Sequence, residues 1–184
     1  MHALVDPPVL AWNAAALALP DELDGVDVFA GYLVFDAWIG NSDRHHENWA
    51  IVNRGGVRLL APSYDHASSL GRNEPDKKVE LRLQGRDPRS TVEAYASRCR
   101  SAFYDKADSA HPMTTRETAA LVQQKRPDAA AYWLSRLRAI DEESVSGILG
   151  RIPPERCSEL HREFAHRILD ENRKHLLNTI ARRP

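Results

Sequence analysis

The residues best suited to chemistry lie in two short polar segments. The first reads Ile39-Gly-Asn-Ser-Asp-Arg-His-His-Glu-Asn-Trp, and the second, Pro62-Ser-Tyr-Asp-His-Ala-Ser-Ser-Leu-Gly, places Asp65 seventeen residues after Asn48. Four residues separate Asp43 from Asn48. Phosphoryl transfer calls for such a set: a carboxylate that orients or deprotonates the attacking hydroxyl, and oxygen ligands that hold magnesium against nucleotide phosphates. On this reading Asp43 takes the base or positioning role, and magnesium bridges Asn48 and Asp65. His45 is either a ligand or proton shuttle, or a structural residue that ties the loop to its neighbours. A second arrangement gathers Asp43, His45, Asp65 and His66 around a transition metal for phosphoester hydrolysis, and it leaves Asn48 without a role.

Positioning these side chains falls to the elements around them. Trp49-Ala-Ile-Val-Asn and Val57-Arg-Leu-Leu-Ala-Pro flank Arg54-Gly-Gly, which reads as two short strands about a Gly-Gly turn. A loop entering such a hairpin brings its first Asp, its last Asn and the Asp beyond the return strand to one end. Upstream, the run over 26–39 is apolar nearly all round, with Val26, Phe29, Leu33 and Trp38 near helical spacing, and reads as a buried helix stopped by Gly40 and Asn41. Trp38 and Trp49 read as core aromatics. The span 71–89 holds five Lys or Arg residues before Pro88 and no sustained apolar period, which predicts an exposed, mobile loop. Ser68, Ser69 and Gly71 suit either the start of an activation loop or a plain turn.

Beyond Ser90 the pattern predicts helices over 92–103, 115–124, 128–138, 142–149 and 155–182. Their starts are marked by Thr114 and Thr115 ahead of Glu117, by Asp141 and by Pro153-Pro154. The last helix sets Leu160, Phe164, Ile168, Leu176 and Ile180 largely on one face. The opening 24 residues, rich in Ala, Leu and Pro, predict only a short helix over 11–18.

The paired motifs resemble those of the HipA-like serine/threonine kinase family, with a weaker likeness to the Asp-Arg-His-x-x-Asn loop of phosphoinositide kinases. The match is close over 29–71. The resemblance implies an α+β, mostly α-helical fold: a kinase-like carboxyl-terminal lobe with a small β-hairpin bearing the catalytic and metal-binding loops. The whole chain, 1–184, is then one domain, with an extension at 1–24, the catalytic and metal-binding segment at 25–71 and a helical subdomain at 90–184. It further implies Asp43 as catalytic base, His45 as a supporting residue of the catalytic loop, Asn48 and Asp65 as Mg2+ ligands beside ATP, and a Ser/Thr hydroxyl of a protein as phosphoacceptor. Tyr64-Asp65-His66 stands where many protein kinases carry Asp-Phe-Gly, a departure shared by the HipA-like pattern. A toxin–antitoxin setting, with an antitoxin chain as partner and a translation-related protein as target, belongs to the same resemblance.

A kinase also needs a cover for the ATP phosphates and a lysine to hold them. The residues before Asp43 contain no Gly-rich loop, and the first lysine is Lys77. An amino-terminal lobe is therefore expected from a separate chain; a degenerate fragment or a non-catalytic interaction module are the other readings.

Bulk properties agree with one globular domain: 184 residues, 42% hydrophobic and 28% charged. A net charge of -1 gives no global reason for binding nucleic acid or an anionic membrane. The basic cluster Arg173, Lys174, Arg182 and Arg183 suits a helix C-terminus. Cys99 and Cys157 lack metal-binding spacing, and no segment approaches a membrane span, so a cytoplasmic location is expected.

Overall fold

The structure is a computed structural model that describes residues 10–11, 23–106 and 108–180. In chain order the elements are β1 (Leu10–Ala11), α1 (Gly25–Ile39), β2 (Ile51–Arg54), β3 (Val57–Leu60), α2 (Asp76–Gln84), a 3-10 turn (Pro88–Ser90), α3 (Val92–Ala96), α4 (Thr115–Lys125), α5 (Pro127–Ala139), α6 (Glu142–Gly150) and α7 (Glu159–Ile180). This mostly helical architecture with one antiparallel hairpin is the fold class expected from the sequence.

Helix α1 explains its all-round apolar run: it packs against α4, α5 and α7 together, so nearly all of it is buried and Phe35 is its one exposed residue. Val28, Phe29, Ala30 and Leu33 are all at most 2% exposed. Its start is held by a capping box in which Asp24 accepts from the Val26 and Asp27 amides while Asp27 accepts from the Asp24 amide. Arg126, between α4 and α5, donates to both carboxylates, at 2.6 and 2.8 Å. Gly31 leaves room for the Trp133 indole, whose ring atoms would lie 2.4 Å from any added Cβ.

The far end of α1 carries the site, and its orphan carbonyls are satisfied by three different segments. Leu70 donates its amide to Ile39 at 2.9 Å, Asn172 of α7 donates to Trp38 at 3.1 Å, and Cys99 donates its thiol to Gly40 at 3.1 Å. Asn172 is fully buried and held in turn by Arg116 at 3.0 Å. Burial pushes the Cys99 thiol up to about 11.

The hairpin forms as expected, β2 and β3 pairing antiparallel across Gly55 and Gly56, both at positive φ. Four expectations are corrected. Ala11 belongs to a strand, since β1 pairs parallel with β3 and extends the sheet to the order β1-β3-β2; the remainder of the expected helix, 12–18, lies outside the described residues. The span 71–89 is not a loop: it contains α2, whose Val79 is 0% exposed against Phe164 and Ile168 of α7. Two buried contacts suffice to dock so short a helix, too few to show as an apolar period. The expected helix over 92–103 stops after Ala96, because 99–103 instead pairs with 113–115 through the Ser101–Met113, Met113–Phe103 and Thr115–Cys99 backbone bonds. Helix α7 starts at Glu159, not 155, since the residues after Pro153-Pro154 close a turn and the Ser158 hydroxyl accepts from the His161 amide.

Leu160, Phe164, Ile168 and Leu176 do line the packed face of α7, and Trp38 and Trp49 pack against the α1 core. No helix among the described residues is long and apolar enough to cross a membrane.

Candidate active site

After Gly40, which closes α1 in the left-handed conformation at φ 63°, the chain enters the loop that carries Asp43 and Asn48. The loop is organised from beneath by a buried ion pair. Asp36, on the last turns of α1, binds the Arg44 guanidinium through both oxygens at 2.8 Å, with the two side chains 5% and 1% exposed. Such fork-to-fork pairing fixes direction as well as distance. Asn41, also buried, donates to Asp36 at 2.9 Å and accepts from the Asp43 amide at 3.1 Å.

The remaining guanidinium donors reach across the site. Arg44 donates to the Asn48 carbonyl at 2.7 Å, to the Tyr64 carbonyl at 3.1 Å and to the Ser63 hydroxyl at 3.0 Å. One buried side chain thus clamps the residue that carries Asn48 to the residue next to Asp65. The Tyr64 hydroxyl adds a second tie, donating to the Glu47 carbonyl at 2.7 Å.

Asn48 is buried, and its side-chain amide donates to the Asp43 carbonyl. That bond orients the amide and leaves Oδ1 as its oxygen donor. Asp43 is half-buried, with Ser68 donating to one carboxylate oxygen at 3.3 Å and His45 Nε2 3.4 Å from the other. The Glu47 amide donates to His45 Nδ1 at 3.2 Å, so the neutral ring carries its proton on Nε2, facing Asp43. Asp65 is exposed and adopts φ 52°, left-handed backbone that few non-glycine residues occupy.

His66 turns away from Asp43. Its Nε2 lies 2.7 Å from the Ser63 hydroxyl, its ring stands edge-on to Phe35, and burial, then the Arg44 guanidinium, push its pKa down. A neutral Nε2 can accept the Ser63 proton, extending the line Asp36, Arg44, Ser63, His66. Beyond it the chain folds back on the loop, Ser42 donating its amide to the Ser68 carbonyl at 3.1 Å.

The donor set suits a hard cation: Asn48 Oδ1 and the Asp65 carboxylate are oxygen ligands of the kind magnesium takes. The transition-metal arrangement fares worse. Among the described residues no three His, Cys, Asp or Glu side chains gather as a metal set, and His45 and His66 are directed to different partners. Sequence reasoning missed Asp36 and the use of Arg44. The available signal was a carboxylate inside an otherwise apolar helix, since a buried charge demands a partner.

A helical lobe that carries an Asp-x4-Asn loop and a following Asp about a hairpin defines a kinase-like carboxyl-terminal lobe. The chain belongs to the HipA-like C-terminal domain family, whose pattern matches residues 14–168. Among solved structures it is similar to a Helicobacter pylori proinflammatory kinase, CtkA, with a TM-score of 0.63 and 23% identity, over 93% of this chain and 59% of that one. The chain therefore spans little more than half the length of that kinase. A search of curated proteins found no match.

Proposed function

We propose that this lobe transfers the γ-phosphoryl group of ATP to a Ser or Thr hydroxyl of a protein, in a magnesium-dependent reaction. The observation that carries the reading is the Arg44 clamp, which holds the Asn48 and Tyr64 carbonyls on one guanidinium and so keeps the two polar segments together. A scaffold that only binds partners has no use for a buried ion pair aimed at keeping Asp43, Asn48 and Asp65 in register.

Asn48 and Asp65 would hold the magnesium, which when bound offsets phosphate charge and orients the nucleotide. Asp43 would accept a hydrogen bond from the acceptor hydroxyl and take its proton as attack proceeds. His45 would act as a positioning residue, its Nε2 proton steadying one Asp43 oxygen while Ser68 steadies the other. A strand-rich lobe bearing the phosphate-binding lysine would complete the enzyme, from the same polypeptide or from another. A cytoplasmic toxin–antitoxin setting, with an antitoxin chain as partner, follows from the family resemblance alone.

The test is calorimetric titration with a non-hydrolysable ATP analogue, with and without magnesium, on the wild-type chain and the Asp65→Ala variant. Magnesium-dependent binding that disappears in the variant is expected. Binding of equal strength in both would overturn the role given to Asp65.

A further inference from the structure

We infer that a cavity beside Asp43 is the subsite for an acidic side chain flanking the acceptor hydroxyl, an inference that rests on the phosphoryl-transfer reading. The cavity measures about 200 Å³ and lies between the start of the Asp43 loop, the segment 68–73 and the end of α3. It shares a wall with the candidate site. Ser68 lines it, accepts from Ser42 through its carbonyl and donates to Asp43 Oδ2 at 3.3 Å through its hydroxyl.

The lining is basic. Arg72, Arg98 and Arg100 border it, and neither Asp nor Glu does. The buried and half-buried arginines that tie elements together elsewhere do have carboxylate partners, Arg44 with Asp36, Arg82 with Glu74 and Arg126 with Asp24 and Asp27. Arg72, Arg98 and Arg100 have no such partner among the described residues. Two of them are nevertheless held in place: Arg98 donates to the Arg89 carbonyl at 2.8 Å and Arg100 to the Pro112 carbonyl at 2.7 Å. Those bonds use one guanidinium nitrogen each and leave the other donors for a ligand.

Size and reach fit an amino-acid side chain. A water needs only about 10–15 Å³ of such space, so the cavity admits a carboxylate together with several waters. Consecutive residues of an extended peptide advance about 3.3 Å, so a peptide with its hydroxyl at Asp43 presents its next one or two side chains to a cavity whose wall touches that carboxylate. Free arginines around such a space steer and select an acidic partner.

The experiment uses two pools of fluorescein-labelled, serine-centred peptides, with Glu or Gln fixed at the positions flanking the serine, and reads binding by anisotropy without nucleotide. Wild-type chain, R72Q/R98Q and D65A are compared; both arginines are exposed, and thermal melting checks that each variant folds. The Glu pool is expected to bind about fivefold more tightly than the Gln pool, with the preference abolished in R72Q/R98Q and kept in D65A. Equal binding of the two pools, or a preference that survives in R72Q/R98Q, overturns the subsite. A Glu preference found together with magnesium-dependent nucleotide binding of equal strength in wild type and D65A would instead count against the phosphoryl-transfer reading and leave the anion site standing.

Discussion

The Asp36–Arg44 pair shows how a single side chain can decide the geometry of a site it does not line. Both partners are almost fully buried, so leaving either alone strands an uncompensated charge, whereas removing both together does not. Arg44→Met and Asp36→Asn should each cost about 3–5 kcal/mol in urea unfolding, and the double substitution markedly less than their sum. Strict additivity would mean that the two residues do not act as a pair. His66 provides a pH signature. Its pKa is lowered on folding, so the unfolded chain takes up a proton before the folded one does, and stability contributed by the neutral ring is present above its ordinary value of 6.5 and lost as pH falls below it. The thermal midpoint should therefore fall between pH 7 and 5, and His66→Asn should flatten part of that fall; an unchanged profile would show that His66 does not contribute. At this scale Asp43, Asn48 and Asp65 stand out as candidates from residue type and spacing, because oxygen ligands for phosphate chemistry are few in kind. The bonds that aim them were not legible, since Asp36 and Ser68 reach the loop only through the folded chain.

Elements meet most tightly where the segment after Asp65 returns to α7. Gly71 sits at φ 68°, and an added Cβ would lie 2.3 Å from the Phe164 ring. Gly71→Ala should destabilise the chain by about 2–4 kcal/mol, the sum of overpacking and left-handed backbone cost, read from denaturant midpoints. A neutral substitution would mean that this segment is not packed on α7. Val79→Ala tests α2 in the same way: a fully buried valine that anchors a nine-residue helix should cost about 1–3 kcal/mol, while a loop would tolerate the change. The long elements were readable because their signals are strong. Helix α1 is apolar all round and capped by Asp24 and Gly40, and the hairpin is written in Gly55 and Gly56. Helix α2 was missed because Lys77, Lys78, Glu80 and Arg82 dominate its composition while its apolar docking contacts are only Val79 and Leu83.

For the whole molecule, the arrangement is a helical body whose central helix ends at the site, with a small sheet holding one flank. The sheet was only half legible: β2 and β3 follow from local turn chemistry, but the pairing of Leu10–Ala11 with β3 joins residues far apart in the chain, and no local pattern encodes it. In the proposed function Asp43, Asn48 and Asp65 surround one metal–nucleotide site. The most direct test is amide-resolved NMR with manganese and a non-hydrolysable ATP analogue, since a paramagnetic ion broadens the resonances nearest to it. Broadening centred on 43–48 and 64–66, reversed by excess magnesium, is the result expected. Broadening centred elsewhere, or none at saturating analogue, would mean that these three residues do not share a metal–nucleotide site.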